Sequence, residues 1–445
     1  MLFVLSDRTY RHLFGAQVVA LLGTGLLTVA LGLLAYRLAG AEAGLVLGTA
    51  LAIKMIAYVV VAPVAGAFAA RLPRRAFMIA TDLVRAAVAL CLPFVTQIWE
   101  IYLLVFVLQA ASAAFTPTFQ ATTPDILPDE KDYTRALSLS RLAYDLENLA
   151  SPALAAALLT LLEFHWLFAG TFVGFLGSAA LVASVGLPAT APDARAGGLL
   201  DRTTRGLRTY VATPRLRGLL ALNLALAAAG AMVIVNTVVI VRGVLARPET
   251  EVALALGAFG AGSMLAALLL PRALDHVTDR NLMLTAATML GGLLVALAAV
   301  ASWWSPGGPW AWATLLTVWG LLGIGYSAAQ TPTGRLVRRS AHPADRNAAF
   351  AAQFALSHAA WLVTYPLAGW LGVRFGMPAT LSILGAIALT AVALARRLWP
   401  AEDGAIAHDH PELRADHPHL RGHGTPHRHD VVIDDLHPAW PLVRV

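Results

Sequence analysis

Cysteine is nearly absent: Cys91 stands alone in 445 residues, which excludes a disulfide framework and any thiolate zinc centre. Charge is scarce too, at 13% of residues against 58% hydrophobic, with a mean hydropathy of +0.68. A soluble domain needs a more polar surface, so the composition implies an integral membrane protein. There is no Gly-x-x-x-x-Gly-Lys-Ser/Thr loop, which argues against ATP-driven pumping. A His-Glu-x-x-His pair and any nucleophile motif are missing as well, so no enzyme is expected. No cleavable signal peptide precedes the first apolar run.

What remains is a succession of apolar runs of bilayer-spanning length. They are read at 12–37, 44–70, 76–95, 98–121, 136–162 and 165–187, then at 217–242, 250–270, 281–302, 310–332, 347–372 and 376–396. The expected fold is therefore all-α, with twelve transmembrane helices in two six-helix halves, 1–187 and 217–396. Residues 188–216 form a basic linker, in which GLLDRTTRGLRTYVATPRLRG reads as an amphipathic helix on the inner membrane surface. Residues 397–445 form a polar tail.

Arg and Lys mark cytoplasmic loops. Arg71, Arg74 and Arg75 follow the second span, Lys131 and Arg135 the fourth, and Arg195, Arg202, Arg205, Arg208, Arg215 and Arg217 occupy the linker. Arg272 and Arg280 follow the eighth span, and Arg335, Arg338, Arg339 and Arg346 the tenth. The loops QIWE, EFHW and SWWSPGGPW lack both residues and carry Trp99, Trp166, Trp303, Trp304 and Trp310, as an outer aromatic belt does. Both termini are thus expected in the cytoplasm, with the protein multi-pass in the inner (plasma) membrane. The net charge of +6 tracks one membrane face, so no nucleic-acid partner is expected; the lipid bilayer is the partner, and the chain is expected to be a monomer.

The fifth span is the exceptional one. ALSLSRLAYDLENLASPALAAALLTLL carries Arg141, Asp145, Glu147 and Asn148 near its middle, where charge is expensive and usually faces a bundle interior or a water-filled path. At 100° per residue Arg141, Asp145 and Asn148 share one face, and Arg141 and Asp145 stand at the i,i+4 spacing of an ion pair. Glu147 lies well round from Asp145 and is left without a helical partner. The halves also repeat: LPDEKDYTRALSLSRLAYDLENLASPALAAAL overlays AHPADRNAAFAAQFALSHAAWLVTYPLAGWL, pairing Pro128 with Pro343, Pro152 with Pro366, and Tyr144 with His358. Duplication of a six-span unit is characteristic of alternating-access transporters, whose site lies between the halves near the midplane.

With these features the chain resembles the major facilitator superfamily. The segment GAFAARLPRRAFMIATDLVRA is similar to its signature Gly-x-x-x-Asp-Arg-x-x-Arg-Arg loop: Gly66, Arg71, Arg74 and Arg75 fit, and Ala70 stands where the signature has Asp. The resemblance implies that this Asp helps latch the halves on the cytoplasmic side. Asp82, at i,i+3 from Arg85, is the candidate replacement, offering a carboxylate to Arg71. GLRTYVATPRLRG resembles the linker helix of the exporter-like branch.

Proton-coupled export needs a group that changes charge as its surroundings alternate between wet and dry, a role suited to Glu147, with Lys54 as counter-charge. Asp145, Arg141 and His358 complete the candidate transport and proton-coupling set, at comparable depths; His358 is a group able to titrate or to ligate a metal, or simply to bond a neighbouring helix. Eight of the 13 histidines lie in the tail. His408, His410, His417, His419, His423, His427 and His429 supply three His-x-His pairs with carboxylates nearby, a donor set suited to Ni²⁺, Co²⁺, Zn²⁺ or Cu²⁺. In this the chain resembles nickel- and cobalt-resistance permeases of the superfamily. The reading is a proton-coupled exporter of divalent transition metal, with metal as substrate and no resident cofactor. Two alternatives stand beside it: export of hydrophobic or cationic drugs or siderophores, and a membrane metal sensor built on a transporter fold.

Overall fold

The computed structural model describes residues 2–39, 43–69, 72–188, 199–248, 250–301, 309–401, 406–408, 427–429, 431–433, 436–437 and 440. The first helices are α1 (Arg8–Ala39), α2 (Ala43–Ala69), α3 (Arg74–Cys91), α4 (Ile98–Ile126), α5 (Glu130–Leu159) and α6 (His165–Ala183). After α7 (Leu199–Ala212) come α8 (Pro214–Val238), α9 (Thr250–Ala273), α10 (Asp279–Ala301), α11 (Pro309–Gln330), α12 (Thr333–Arg339) and α13 (Arg346–Leu398). A hydrocarbon solvent offers the backbone no hydrogen-bond partners, so apolar segments of this length close their own bonds as helices.

Ten of the described helices are long and apolar enough to cross a membrane. α5 is not among them, though its 30 residues are ample in length; its mid-helix charges lower its hydropathy. α13 counts once but is two helices: 53 residues would run about 80 Å at 1.5 Å each, against a hydrocarbon core of about 30 Å. The break is Gly376, whose φ of +77° is open to glycine at little cost.

The helices pack into two bundles. In the first, α1 lies along α6, α2 along α4, and α3 against both α4 and α6, around Leu26, Leu34, Phe168 and Phe175. In the second, α8 lies along α13, α9 along α11, and α10 against α11 and α13, around Leu290, Trp319 and Leu384. α9 and α11 nearly touch: a Cβ at Gly262 would sit 1.9 Å from the Gly320 carbonyl oxygen, the close approach that small residues allow between membrane helices. Two seams join the bundles, α2 against α13 and α5 against α9. Large apolar side chains such as Leu51, Phe94, Val173 and Val373 stand exposed on the outside, where lipid replaces water.

Between the bundles, α7 is docked on the helices around it. It packs on α13, α2 and α8. Tyr210 is fully buried and donates to Gln353, Arg205 pairs with Asp345 at 3.4 Å, and a Cβ at Gly206 would fall 2.1 Å from the Ala348 carbonyl oxygen. Leu207 and Val211 stay exposed, leaving an apolar strip for the membrane interface.

The same end of the molecule carries an ionic network across the bundles. Asp125, closing α4, accepts Arg74 of α3 at 2.6 Å and Arg346 of α13. Glu130, opening α5, accepts Arg335 at 2.7 Å and Arg339, both from α12, and the same arginines reach Asp279 of α10 at 3.5 and 3.2 Å. The opposite end is not free of cations, contrary to the simplest charge pattern: Arg37 contacts His165 at 2.6 Å, and Arg247 pairs with Glu251 at 2.7 Å beneath the Trp312 ring.

Of the tail, β1 (Ile406–His408) and β2 (His427–His429) pair antiparallel with His408 opposite His427. Val431 and His437 are buried, and Trp440 stacks on Arg215 at the α7–α8 junction, so the closing segment docks on the basic end. His410, His417, His419 and His423 lie outside the described residues, as do Ala70 and Arg71.

Candidate functional site

α5 delivers its two mid-helix carboxylates to different places. Two residues apart is 200° of helix, so a bundle seam that receives one turns the other towards its own bundle. Asp145 is buried on the α9 side: its Oδ1 lies 2.8 Å from Arg141 Nη2, and its Oδ2 accepts from Ser263 Oγ at 2.7 Å. Ser263 in turn accepts from Arg141 Nε and Nη2 at 3.1 and 2.8 Å, and the guanidinium stacks over Tyr326 of α11 with 5.0 Å to the centroid. The i,i+4 pair read from the sequence is thus present, and it is closed by a serine from the other bundle.

Glu147 meets a different set. It interacts electrostatically with Lys54 of α2, one of only two lysines in the chain, and no hydrogen bond to its carboxylate is found among the described residues. α1 gives it room, because a Cβ at Gly25 would lie 3.1 Å from Glu147 Oε1 and 2.0 Å from Ser151 Oγ. Lys54 Nζ sits 5.5 Å from the centroid of Tyr58, within cation–π range. Tyr58 donates to Gln109 Oε1 of α4 at 2.8 Å. Its ring meets Phe354 and His358 of α13 at centroid distances of 4.8 and 4.7 Å. His358 Nδ1 donates to the Phe354 carbonyl at 2.7 Å, which leaves Nε2 of the neutral ring as the free acceptor. Each of these residues stands close to the middle of its helix.

The structure therefore brings Lys54, Glu147 and His358 into one electrostatic neighbourhood across the α2–α13 seam, since Lys54 acts on both the carboxylate and the imidazole. It does not bring Asp145 and Arg141 there. Asp145, Glu147 and His358 do not form a joint metal site: Asp145 is taken by Arg141 and Ser263, and among the described residues no three His, Cys, Asp or Glu could hold a metal.

Beyond Tyr326 an aromatic row continues through the second bundle. Phe259 and Trp361 flank Tyr326 at 5.8 and 6.3 Å, and Tyr365 follows Trp361 at 4.9 Å. All four are half-buried and pack against the core of the second bundle.

The signature-loop residues are accounted for separately. Gly66 lets α2 reach α13, since a Cβ there would be 2.7 Å from Ala351 Cβ. Arg75 donates to the Ala183 carbonyl. Asp82 pairs with Arg85 and accepts from Ser178 at 2.7 Å, while Arg85 lies against the rings of Phe115 and Phe175; its expected partner Arg71 lies outside the described residues. The carboxylate that joins Arg74 to the second bundle is Asp125.

Tyr58, Phe354, Ser263, Tyr326, Gly25 and Asp125 were not singled out from the sequence. Two carried a local signal: Tyr58 is one turn from Lys54, and Phe354 one turn from His358. The others owe their place to helices far away in the chain.

Comparison with known proteins agrees with this architecture. Macrolide efflux protein A of Streptococcus pyogenes is 26% identical over 181 residues, 40% of this chain and 44% of that protein, so the match spans less than half of the relative's length. The human organic anion transporter MFSD10 (TETRAN) superposes with a TM-score of 0.74 at 14% identity, over 87% of this chain and 99% of that one. A bacterial homologue of the iron transporter ferroportin, in an outward-facing state, gives a TM-score of 0.71 at 14% identity over 88% and 98%. At such identities the likeness is one of fold. The profile of the Major Facilitator Superfamily matches residues 13–245 and 220–427, and on that match the chain belongs to this superfamily of membrane transporters.

Proposed function

We propose that the protein is a proton-coupled exporter of amphiphilic, cationic organic molecules, working by alternating access between halves 1–187 and 217–396. The observation that carries the reading is Lys54 at mid-helix beside Tyr58, Phe354 and His358 on the α2–α13 seam, with Glu147 of α5 as a carboxylate whose charged neighbour is Lys54. A carboxylate with one charged neighbour exchanges a proton whenever the seam opens to water, and the aromatic row from Phe259 to Tyr365 offers flat apolar faces to a substrate. The efflux relatives favour export. In this reading α5 and the two parts of α13 complete twelve spans. The ends rich in Arg, with both termini, face the cytoplasm of the inner membrane, and a monomer driven by the proton gradient needs no resident cofactor.

A second reading, export of Ni²⁺ or Co²⁺, is favoured by the ribbon that sets His408 opposite His427. Growth assays separate the two. A hypersensitive bacterium expressing the full chain is expected to tolerate macrolides or lipophilic cations, equally well when the chain ends at Trp399. Tolerance to Ni²⁺ or Co²⁺ alone, lost on that truncation, would replace the first reading with the second.

A further inference from the structure

One cavity lies away from the mid-helix site. It measures about 690 Å³ and opens at the basic end, between α5 and α9 where the two bundles meet. Five cations line it: Lys131 and Arg135 of α5, Arg272 of α9, and Arg335 and Arg339 of α12, against the two carboxylates Glu130 and Asp275. A smaller cavity of about 170 Å³ shares Glu130, Arg335 and Arg339 and adds Arg338 and Arg346, with no further acid. Asp132 pairs with Arg135 at 2.7 Å and Asp279 reaches Arg335 and Arg339, which leaves Lys131 and Arg272 as the cations for an anion to offset.

Neither Lys131 nor Arg272 has an ion-pair partner among the described residues. Nε of Arg335 is buried without a hydrogen bond; its nearest carboxylate oxygen is that of Asp279 at 3.5 Å. The remaining wall is apolar, and Leu268 and Leu269 of α9 are 47% and 50% exposed on the membrane-facing side. A polar cationic floor beside exposed leucines has the chemistry of a phospholipid's two parts, an anionic phosphate and its acyl chains.

We propose that this cavity binds the headgroup of an anionic phospholipid. The phosphate meets Lys131 and Arg272, and the chains run down Leu268 and Leu269. Because Arg335 and Arg339 also hold Glu130 across the seam, the lipid sits where it reinforces closure of the basic end. Inorganic phosphate shares the headgroup chemistry but lacks the chains, so it is expected to bind far more weakly.

The full chain in nanodiscs tests this through Lys131, which is exposed and one of only two lysines. Its acetylation by an amine-reactive ester, followed by mass spectrometry, is expected to slow in phosphatidylglycerol relative to phosphatidylcholine. Millimolar inorganic phosphate in phosphatidylcholine discs should give no such protection. Arg272→Gln should weaken phosphatidylglycerol binding, measured by native mass spectrometry, about fivefold. Arg397→Gln, which removes an exposed cation outside the cavity, should leave it unchanged. Equal acetylation in both lipids, protection by phosphate alone, or equal losses in the two variants would each overturn the proposal.

Discussion

Asp145 and Glu147 stand two residues apart on one helix and hold opposite positions in the electrostatics of the protein. Asp145 has Arg141, a serine from the other bundle, and a guanidinium stacked on an aromatic ring. Glu147 has one distant cation and a glycine that lets α1 come close beside it. A carboxylate whose lone pairs are committed is a structural joint; one whose partner is a single ammonium group is able to trade its proton. The difference comes from what faces each side of α5, not from the residue type.

The sharpest way to break that contrast is to neutralise each acid in turn. Glu147→Gln is expected to reduce proton-driven transport in proteoliposomes to the level of empty vesicles, while substrate counterflow, which needs no net proton movement, continues. Asp145→Asn should slow both modes together, because it disturbs the seam rather than the proton. If the two variants gave the same pattern, the division of labour along α5 would be wrong.

The next effect is on stability. Removing one member of a buried ion pair leaves its partner uncompensated and costs about 3–5 kcal/mol. Arg141 and Asp145 are 16% and 3% exposed, so Asp145→Ala is expected to lower the Tm of the purified protein markedly. Arg141→Met with Asp145→Leu should recover most of the loss, since it removes both charges and fills the volume. Glu147→Gln should leave Tm near that of the unaltered chain. A Tm unmoved by Asp145→Ala would show that the pair does not hold the seam.

Much of this was legible in the residues. Spans follow from runs of apolar residues, and the helical period alone placed Arg141 against Asp145 and turned Glu147 away. What could not be read was the partner across a seam: Ser263 and Tyr326 lie more than a hundred residues from α5 and carry no periodic mark. The same holds for the carboxylate that crosses to the second bundle: Asp82 is visible one turn from Arg85, with which it pairs, whereas Asp125 reaches Arg74 from the far end of α4. Asp145 was grouped with His358 by depth, and depth says nothing about rotation or about which neighbour claims an oxygen.

The smallest predicted effect asks whether the ring or the hydroxyl of Tyr58 serves the Glu147 side of the contrast. Its hydroxyl makes one neutral hydrogen bond, to Gln109, and such a bond is worth about 1 kcal/mol net. Tyr58→Phe should therefore shift the apparent KM for transported substrate by about fivefold at most and leave proton coupling intact, because Phe354, His358 and Lys54 all contact the ring face or edge. Tyr58→Ala removes the surface on which those three meet and should cost more. The comparison is read in KM against maximal rate: a Tyr58→Phe variant that lost proton-driven transport, rather than affinity, would place the hydroxyl on the proton path and move the working site from Glu147 alone to Glu147 with Tyr58.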